Sequence, residues 1–380
     1  MRCGDFFPRA CPEGRTVSPW KTLFRYIVLQ FLIWCSGVFV AMMFIVFLGD
    51  YIELIRRSGS KPEATLSVLL EMAALKQPHM AQQVMPFAIL FGTMMAFWRM
   101  TRSNELIVAR AAGVSVWQFL TPPLAGAFAI GVIAVAVFNP IASVMQTRYE
   151  SLESRVLRGS GDQLTLSHSG LWLRQSDEAG NNSIVHADNF LPKRTELTDL
   201  MVLEFDGTQL VGRIDAKSAV LRAGKWEVSD GTRWQPGKPL EPFQRAEVPT
   251  NLTPTKIQES FAAPETMSFW ELPGFIQLLE ASGFSAQRHR LYFNELLARP
   301  FLFTAMVLVA ATFSLRLQRR GGTALMITAG MASGFLLYLL SLVVLALGHA
   351  ATIPVSLAAW TPTGVSWLLG ASMLLHLEDG

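Results

Sequence analysis

Long apolar stretches without Asp, Glu, Lys or Arg are the feature that most constrains this fold. An α-helix rises 1.5 Å per residue, so about 20 apolar residues cross the hydrocarbon core of a bilayer. The first stretch is too long for a signal-peptide core, and we expect a retained helix. The last is long enough for two spans, divided near Gly348-His349 and Pro354. We therefore predict about six transmembrane helices from the stretches 26–49, 77–98, 116–138, 300–315 and 321–377.

The predicted spans form two groups of three around a polar middle region, residues 146–290. Its short β-branched and aromatic segments, such as 183–187 and 200–205, are separated by turns of the Asp206-Gly207 and Asp230-Gly231 type. This pattern is typical of an antiparallel sandwich or barrel. Residues 271–297 then return the chain as an amphipathic helix. The predicted fold class is membrane α-helical with an inserted all-β domain.

The placement of Lys and Arg predicts the orientation. Positive residues cluster in the tail 1–22 and in the loops after the second and fourth spans, whereas the last outer loop has none. Cytoplasmic loops of membrane proteins carry an excess of Lys and Arg. Both termini are therefore expected in the cytoplasm, with spans one to three in 23–145, an extracytoplasmic domain in 146–290, and spans four to six in 291–380.

Several function classes lack their motifs in this sequence. No phosphate-binding Gly-x-x-x-x-Gly-Lys-Ser/Thr loop and no His-Glu-x-x-His helix occurs, and no Asp or Glu lies inside a predicted span. The net charge of +3 is too small to indicate a nucleic-acid partner. Cys3 and Cys11 lack further ligands for zinc. We expect neither an enzyme nor a cofactor or metal site.

The cytoplasmic segment 103–113, between the second and third spans, has the pattern of a short helix. Ser103 is placed to cap its start, Leu106, Ile107 and Ala111 are placed to line one face, and Gly113 is placed to close it. Such a helix either lies on the membrane surface or docks into the groove of a partner. The residues alone leave both readings open.

Basic residues also cluster beyond the outer end of the first span, on the side expected to be poor in them. Arg56, Arg57 and Lys61 follow that span, and Lys76 and His79 lie near the start of the second. The two readings are a solvated charge cluster and a cationic rim that binds anionic lipid head groups.

Four motifs resemble the lipopolysaccharide-export permeases, the LptF/LptG family of six-span subunits of ABC transporters. The most specific is Ser103-Asn-Glu-Leu-Ile-Val-Ala-Arg-Ala-Ala-Gly-Val-Ser115, which resembles the coupling helix of the family. The Asp50-Tyr-Ile-Glu53 stretch resembles LptG members more than LptF members. The others are Arg25-Tyr-Ile27 with Gly49-Asp-Tyr-Ile-Glu-Leu-Ile-Arg-Arg57, Gln77-Pro78 with Met85-Pro-Phe-Ala-Ile-Leu-Phe-Gly92, and Ala298-Arg-Pro-Phe301 with Leu315-Arg-Leu-Gln-Arg-Arg-Gly-Gly322.

The resemblance implies a function and a set of partners. The chain would be the permease subunit that extracts lipopolysaccharide from the inner membrane. It would pair with an LptF-like permease, dock on an LptB-like ABC ATPase dimer, and hand lipopolysaccharide to an LptC/LptA-like periplasmic bridge. The middle domain would be a periplasmic β-jellyroll with an open apolar groove.

The same resemblance assigns residues. Glu105 and Arg110 would face the ATPase. Arg56 and Arg57 would contact lipid phosphates, and other membrane lipids would surround the chain. His79 departs from the basic residue expected after Pro78. The alternative is a mechanotransmitting scaffold subunit, although such proteins place one span before the outer domain and this chain places three.

Overall fold

The computed structural model describes residues 19–59, 65–158, 163–167, 170–176, 182–191, 196–206, 209–222, 225–250, 263–281, 285–315 and 323–379. The described residues up to 158 are helical apart from short connections. Helices α4 and α5 join through a π-helical turn, Ala134–Phe138, and a second such turn, Ser154–Arg158, follows α5. The elements are α1 Pro19–Ser58, α2 Leu66–Arg102, α3 Glu105–Ala111, α4 Val116–Ile133 and α5 Asn139–Glu153.

The second half contains the strands and four further helices. A 3₁₀ turn, Pro264–Thr266, precedes α6. The strands are β1 Gln163–Ser167, β2 Gly170–Ser176, β3 Asn182–Leu191, β4 Glu196–Asp206, β5 Gln209–Arg222, β6 Lys225–Trp234 and β7 Glu241–Pro249. The helices are α6 Leu272–Ala281, α7 Gln287–Ser314, α8 Thr323–His349 and α9 Val355–Asp379.

The predicted fold class, membrane helices with an inserted all-β domain, is confirmed. Among the described residues, five helical stretches are long and apolar enough to cross a membrane: Lys21–Ser58, Leu66–Arg102, Val116–Val156, Gln287–Ser314 and Ile327–His349. Helix α9 is not one of the five, so the sixth span stays a prediction. It packs along α7, where the Trp367 indole donates to Thr304 Oγ1 at 2.9 Å.

Helix α7 is the centre of the membrane bundle. It contacts α2, α4, α8 and α9, and its residues Phe303, Leu308 and Ala311 are fully buried. Helix α1 instead exposes apolar side chains such as Ile33 and Phe44 along its length. In a membrane protein, exposed apolar faces of this kind meet lipid tails or another apolar subunit.

The seven strands form one antiparallel sheet in which each strand pairs with its neighbours in sequence, in the order β1 to β7. This is a meander, and the described strands do not show the crossing connections of a Greek-key jellyroll. The helix before the sheet extends to Arg158 and the first strand begins at Gln163, so the helical part is longer than the sequence predicts.

A crease crosses the sheet. Asp199 in β4 and Asp230 in β6 have left-handed φ angles of 50° and 53°, which Asp tolerates better than most residues. In β5 between them, Ile214 and Ala216 are buried and so is Ala219, three positions further on. The alternation of inward and outward side chains therefore changes phase at the crease, and both halves of the strand keep apolar residues inside.

Helix α6 packs against the apolar face of this sheet. Ile276 and Leu279 of α6 belong to one buried cluster with Val202, Trp226 and Val248 of the strands. The open apolar groove that the resemblance implies stays a prediction.

Candidate functional site

The cytoplasmic segment forms a seven-residue helix, α3, between α2 and α4. Gly113 closes it with a φ of +84°, a conformation in which a side chain would be strained. Its N–H donates to the Arg110 carbonyl at 3.0 Å, and the Val114 N–H donates to the Ala109 carbonyl at 3.1 Å. These are the two hydrogen bonds of a Schellman motif, and the role predicted for Gly113 is confirmed.

The role predicted for Ser103 is wrong. Asn104 occupies the cap position of α3, with a left-handed φ of 59° and no capping side-chain bond. Ser103 instead ends α2, and its hydroxyl donates to the Arg99 carbonyl at 3.1 Å and to Glu105 Oε1 at 2.8 Å. A capping serine needs an extended backbone, whereas Ser103, at the C-terminal cap of α2, has a φ of −80° and a ψ of 5°.

Glu105 is held by its own chain on both carboxylate oxygens. The Tyr26 hydroxyl, at the start of α1, donates to Oε2 at 3.0 Å, and Ser103 donates to Oε1 at 2.8 Å. Both bonds join a hydroxyl to an ionised oxygen, which makes them stronger than bonds between neutral groups. They fix the orientation of Glu105 relative to α1.

The apolar residues of α3 do not share one face, contrary to the prediction. Leu106 is 3% exposed and packs into a cluster with Phe97 of α2 and Phe119 of α4. Ile107, with 46% exposure, and Val108, with 67%, point outward. Leu106 therefore anchors α3, and an exposed apolar pair remains available beside Arg110, which is also exposed.

Arg56 and Arg57 lie at the end of α1, where both pair with one carboxylate. Arg56 Nη2 is 2.7 Å from Glu53 Oε2, and Arg57 Nε is 2.8 Å from Glu53 Oε1. Their side chains remain 78% and 57% exposed. Solvent screens such pairs, so the two guanidinium groups can still exchange Glu53 for another anion. Lys61, predicted with them, lies outside the described residues.

His79 lies on α2, apart from that arginine pair. Its Nε2 is 3.1 Å from Gln83 Nε2, and it is within electrostatic range of Glu265, Arg299 and Lys76. Lys76 is bound to Asp50 of α1 at 2.8 Å. Through Gln83, which lines the cavity described below, His79 is linked to the inside of the bundle.

A buried polar network joins three helices and was not predicted from the sequence. Asn139, Gln82 and Arg299 are 0%, 4% and 9% exposed. Asn139 Nδ2 donates to Gln82 Oε1 at 3.4 Å and to the Tyr292 hydroxyl at 3.2 Å, while its Oδ1 accepts from the Phe269 N–H at 2.8 Å. Gln82 Oε1 also accepts from Arg299 Nη1.

This network borders a cavity of about 280 Å³ between α2, α7, α8 and α9. Gln82 and Arg299 lie at its polar side, and its apolar walls include Phe87, Leu302 and Leu337. Arg299 is buried, and its Nη2 lies 3.6 Å from Glu295 Oε1. A buried ionisable residue inside a membrane bundle commonly marks a functional site.

One signal in the sequence pointed toward this network. Gln82 and Gln83 stand inside an otherwise apolar stretch, and Asn139 directly precedes Pro140. Amide side chains inside a span need internal partners, because lipid offers none.

Comparison with known proteins supports one family over almost the whole chain. The model of the lipopolysaccharide export system permease LptF/LptG family matches residues 25–376. Lipopolysaccharide export system permease protein LptG of Escherichia coli strain K12 is 21% identical over 372 residues, covering 94% of this chain and 96% of the relative. The LptG protein of Haemophilus influenzae is 22% identical over 329 residues, covering 84% of this chain and 89% of the relative.

The match includes the cytoplasmic segment, the arginine pair, the β domain and the buried network. It agrees with the motifs that suggested the family, and the preference for LptG is consistent with the named relatives. The apolar helices fit a multi-pass protein of the inner membrane. The chain belongs to the lipopolysaccharide export system permease family LptF/LptG.

Proposed function

We propose that this chain is the permease subunit of an ATP-driven ABC transporter that extracts lipopolysaccharide from the inner membrane and passes it to a periplasmic bridge. The family match over residues 25–376 carries this proposal. The proposed orientation has both termini in the cytoplasm and the β domain in the periplasm, as the distribution of Lys and Arg favours.

Extraction of a lipid requires an energy source. Each CH₂ group exposed to water costs about 0.8 kcal/mol, so one acyl chain of about 12 carbons costs roughly 10 kcal/mol. The sequence contains no phosphate-binding loop of its own. A partner ATPase is therefore part of the proposal.

The segment that docks on the ATPase is α3 with its flanking residues Ser103 and Gly113. Leu106 fixes the helix to the bundle, and Ile107 and Val108 offer an exposed apolar surface. Arg110 adds a positive charge beside it, and Glu105 is oriented by Tyr26. A short helix with an apolar patch and fixed charges suits a groove on a partner better than a uniform lipid surface.

The lipid head group is proposed to bind at the outer rim through Arg56, Arg57, Lys61 and His79. Arg guanidinium groups bind phosphate in a bidentate manner, and the pair on α1 is exposed. A phosphate would displace Glu53 from them. His79, whose partner Gln83 lines the cavity, contributes a weaker polar contact.

A second, homologous permease is the proposed neighbour within the membrane. The exposed apolar faces of α1 and α8 include Val40, Phe44, Phe335 and Val343. A face of this composition packs equally well against lipid tails and against another apolar helix.

The test is affinity purification of the tagged chain in mild detergent, with mass spectrometry of retained proteins and lipids. We expect an ABC ATPase, a second permease and lipopolysaccharide. Recovery of the ATPase without lipopolysaccharide would favour the scaffold subunit instead. Recovery of the chain with phospholipid alone would refute the proposed transporter.

A further inference from the structure

A proline in the third span leaves one backbone carbonyl without its helical donor. In an α-helix the Ala136 carbonyl accepts from the N–H four residues later, but residue 140 is proline and has no N–H. The backbone here forms the π-helical turn Ala134–Phe138, a local deviation that is frequent at functional positions. The Trp270 indole donates to this carbonyl at 3.1 Å and replaces the missing N–H.

The segment that contains Trp270 is bound a second time, by Asn139, the residue before Pro140. Asn139 accepts the Phe269 N–H at 2.8 Å, and its amide donates into the buried network with Gln82 and Tyr292. Ala136 and Asn139, three residues apart in the third span, thus hold the consecutive residues Phe269 and Trp270 of the segment before α6. Both bonds link positions at least 130 residues apart in the sequence.

That segment leads directly into the β domain. Leu272, at the start of α6, packs with Val135 of the π-helical turn and with Tyr292 of α7. Further along α6, Ile276 and Leu279 are buried in the core of the sheet. One rigid helix of ten residues therefore connects the Asn139 contact to the inside of the β domain.

We propose that Asn139 and Trp270 are positioning residues of a joint that passes movement of the membrane helices to the β domain. Gln82 and Arg299 form the membrane side of the joint, because they border the cavity and bind one another. A shift of α2 against α7 changes the partner of the Gln82 oxygen, and Asn139 transmits the change to Phe269. This inference rests on the proposed transport function for its biological meaning, but the joint itself is testable without it.

The first experiment isolates the Trp270 hydrogen bond in the full chain. Trp270→Phe removes the donor and keeps an aromatic ring at a position that is 65% exposed, so the core is untouched. Adding Pro140→Ala restores a backbone N–H for the Ala136 carbonyl in a different way. Trp234→Phe, on a tryptophan of β6 that is 37% exposed, is the matched control.

Spin labels at Ser67 of α2 and Lys238 of the β6–β7 turn report the distance between the two parts in nanodiscs. We expect Trp270→Phe to broaden the distance distribution. Trp234→Phe should leave it as in the wild type. An unchanged distribution in Trp270→Phe overturns the joint.

The transmission is measured in the complex with the ATPase, as lipid released per ATP hydrolysed. Loss of one hydrogen bond predicts about a fivefold lower ratio for Trp270→Phe at nearly unchanged ATP turnover. Because Pro140→Ala satisfies the carbonyl but does not re-attach Trp270, the double variant should remain uncoupled. If Trp270→Phe releases as much lipid per ATP as the wild type, the joint does not transmit movement. If the unmodified chain binds no ATPase, the proposed function is refuted, and the distance measurement alone then decides whether the joint exists.

Discussion

The hydrogen bond between Tyr26 and Glu105 allows a quantitative test of the docking segment. Tyr26→Phe removes only the hydroxyl that donates to Glu105 Oε2 at 3.0 Å. A hydrogen bond to a charged group contributes about 1.5 kcal/mol or more when shielded, and this one is partly exposed, so we expect about 1 kcal/mol. If the bond orients Glu105 for the ATPase, the variant binds the ATPase about fivefold more weakly.

The assay is a titration of the purified ATPase onto the chain in nanodiscs. Tyr51→Phe is the matched control, because Tyr51 lies on the same helix. Its ring stacks on that of Phe47, with 6.3 Å between the ring centroids. A double-mutant cycle with Glu105→Gln assigns the effect to the pair. The expected coupling is about 1 kcal/mol, since either substitution alone already weakens the same bond.

Two results would refute this reasoning. Additive effects of Tyr26→Phe and Glu105→Gln would mean that the two side chains act separately. Tighter binding by Tyr26→Phe would mean that the bond restrains Glu105 and must break before docking.

Three further predictions concern packing, charge and the anchor of α3. A Cβ at Gly92 would lie 2.5 Å from Cys35 Cα, so Gly92→Ala should lower the stability measured by thermal unfolding by about 1–3 kcal/mol. Gly37→Ala is the control, because a Cβ at Gly37 meets no atom within 4 Å and should not destabilise the chain. Glu53→Gln should free Arg56, leave Arg57 with its 4.0 Å contact to Glu153, and raise photocrosslinking to anionic lipid. The double variant Arg56→Ala/Arg57→Ala should lower it, and equal crosslinking in the wild type and both variants would make the rim a solvated cluster. Leu106→Ala should cost about 2–4 kcal/mol of stability, whereas Ile107→Ala should preserve stability and weaken ATPase binding.

The local patterns predicted the elements well and their partners poorly. Uncharged stretches predict spans because lipid tolerates little else, and Gly113 predicts a helix end because its backbone conformation favours glycine. The cap predicted at Ser103 was wrong because a serine hydroxyl can bond at either end of a helix. Which end it serves here depends on Glu105, to which it donates, and on Tyr26, which holds Glu105. The sequence carried no sign that Leu106 would turn inward, since that depends on the position of α4.

The network at Asn139 could not be predicted because its partners are distant in sequence. Gln82 and Arg299 are separated by 217 residues, and no local pattern specifies that they meet. Only the cost of an unbonded amide inside a membrane says that each must have some partner.

The choice of groups in this network bears on how the joint works. A buried ion pair resists separation, because breaking it leaves an uncompensated charge in a low-dielectric interior. An amide can exchange one neutral partner for another at a lower cost, since each net hydrogen bond is worth only about 1 kcal/mol. The Asn139 amide, which bonds to neutral groups of Gln82, Tyr292 and Phe269, therefore suits a contact that must rearrange. Arg299 and Glu295 place a pair of opposite charges beside it at the cavity. In the proposed joint the neutral amide bonds can exchange while the Arg299–Glu295 pair stays at the cavity, an arrangement suited to passing movement of the membrane helices to the β domain.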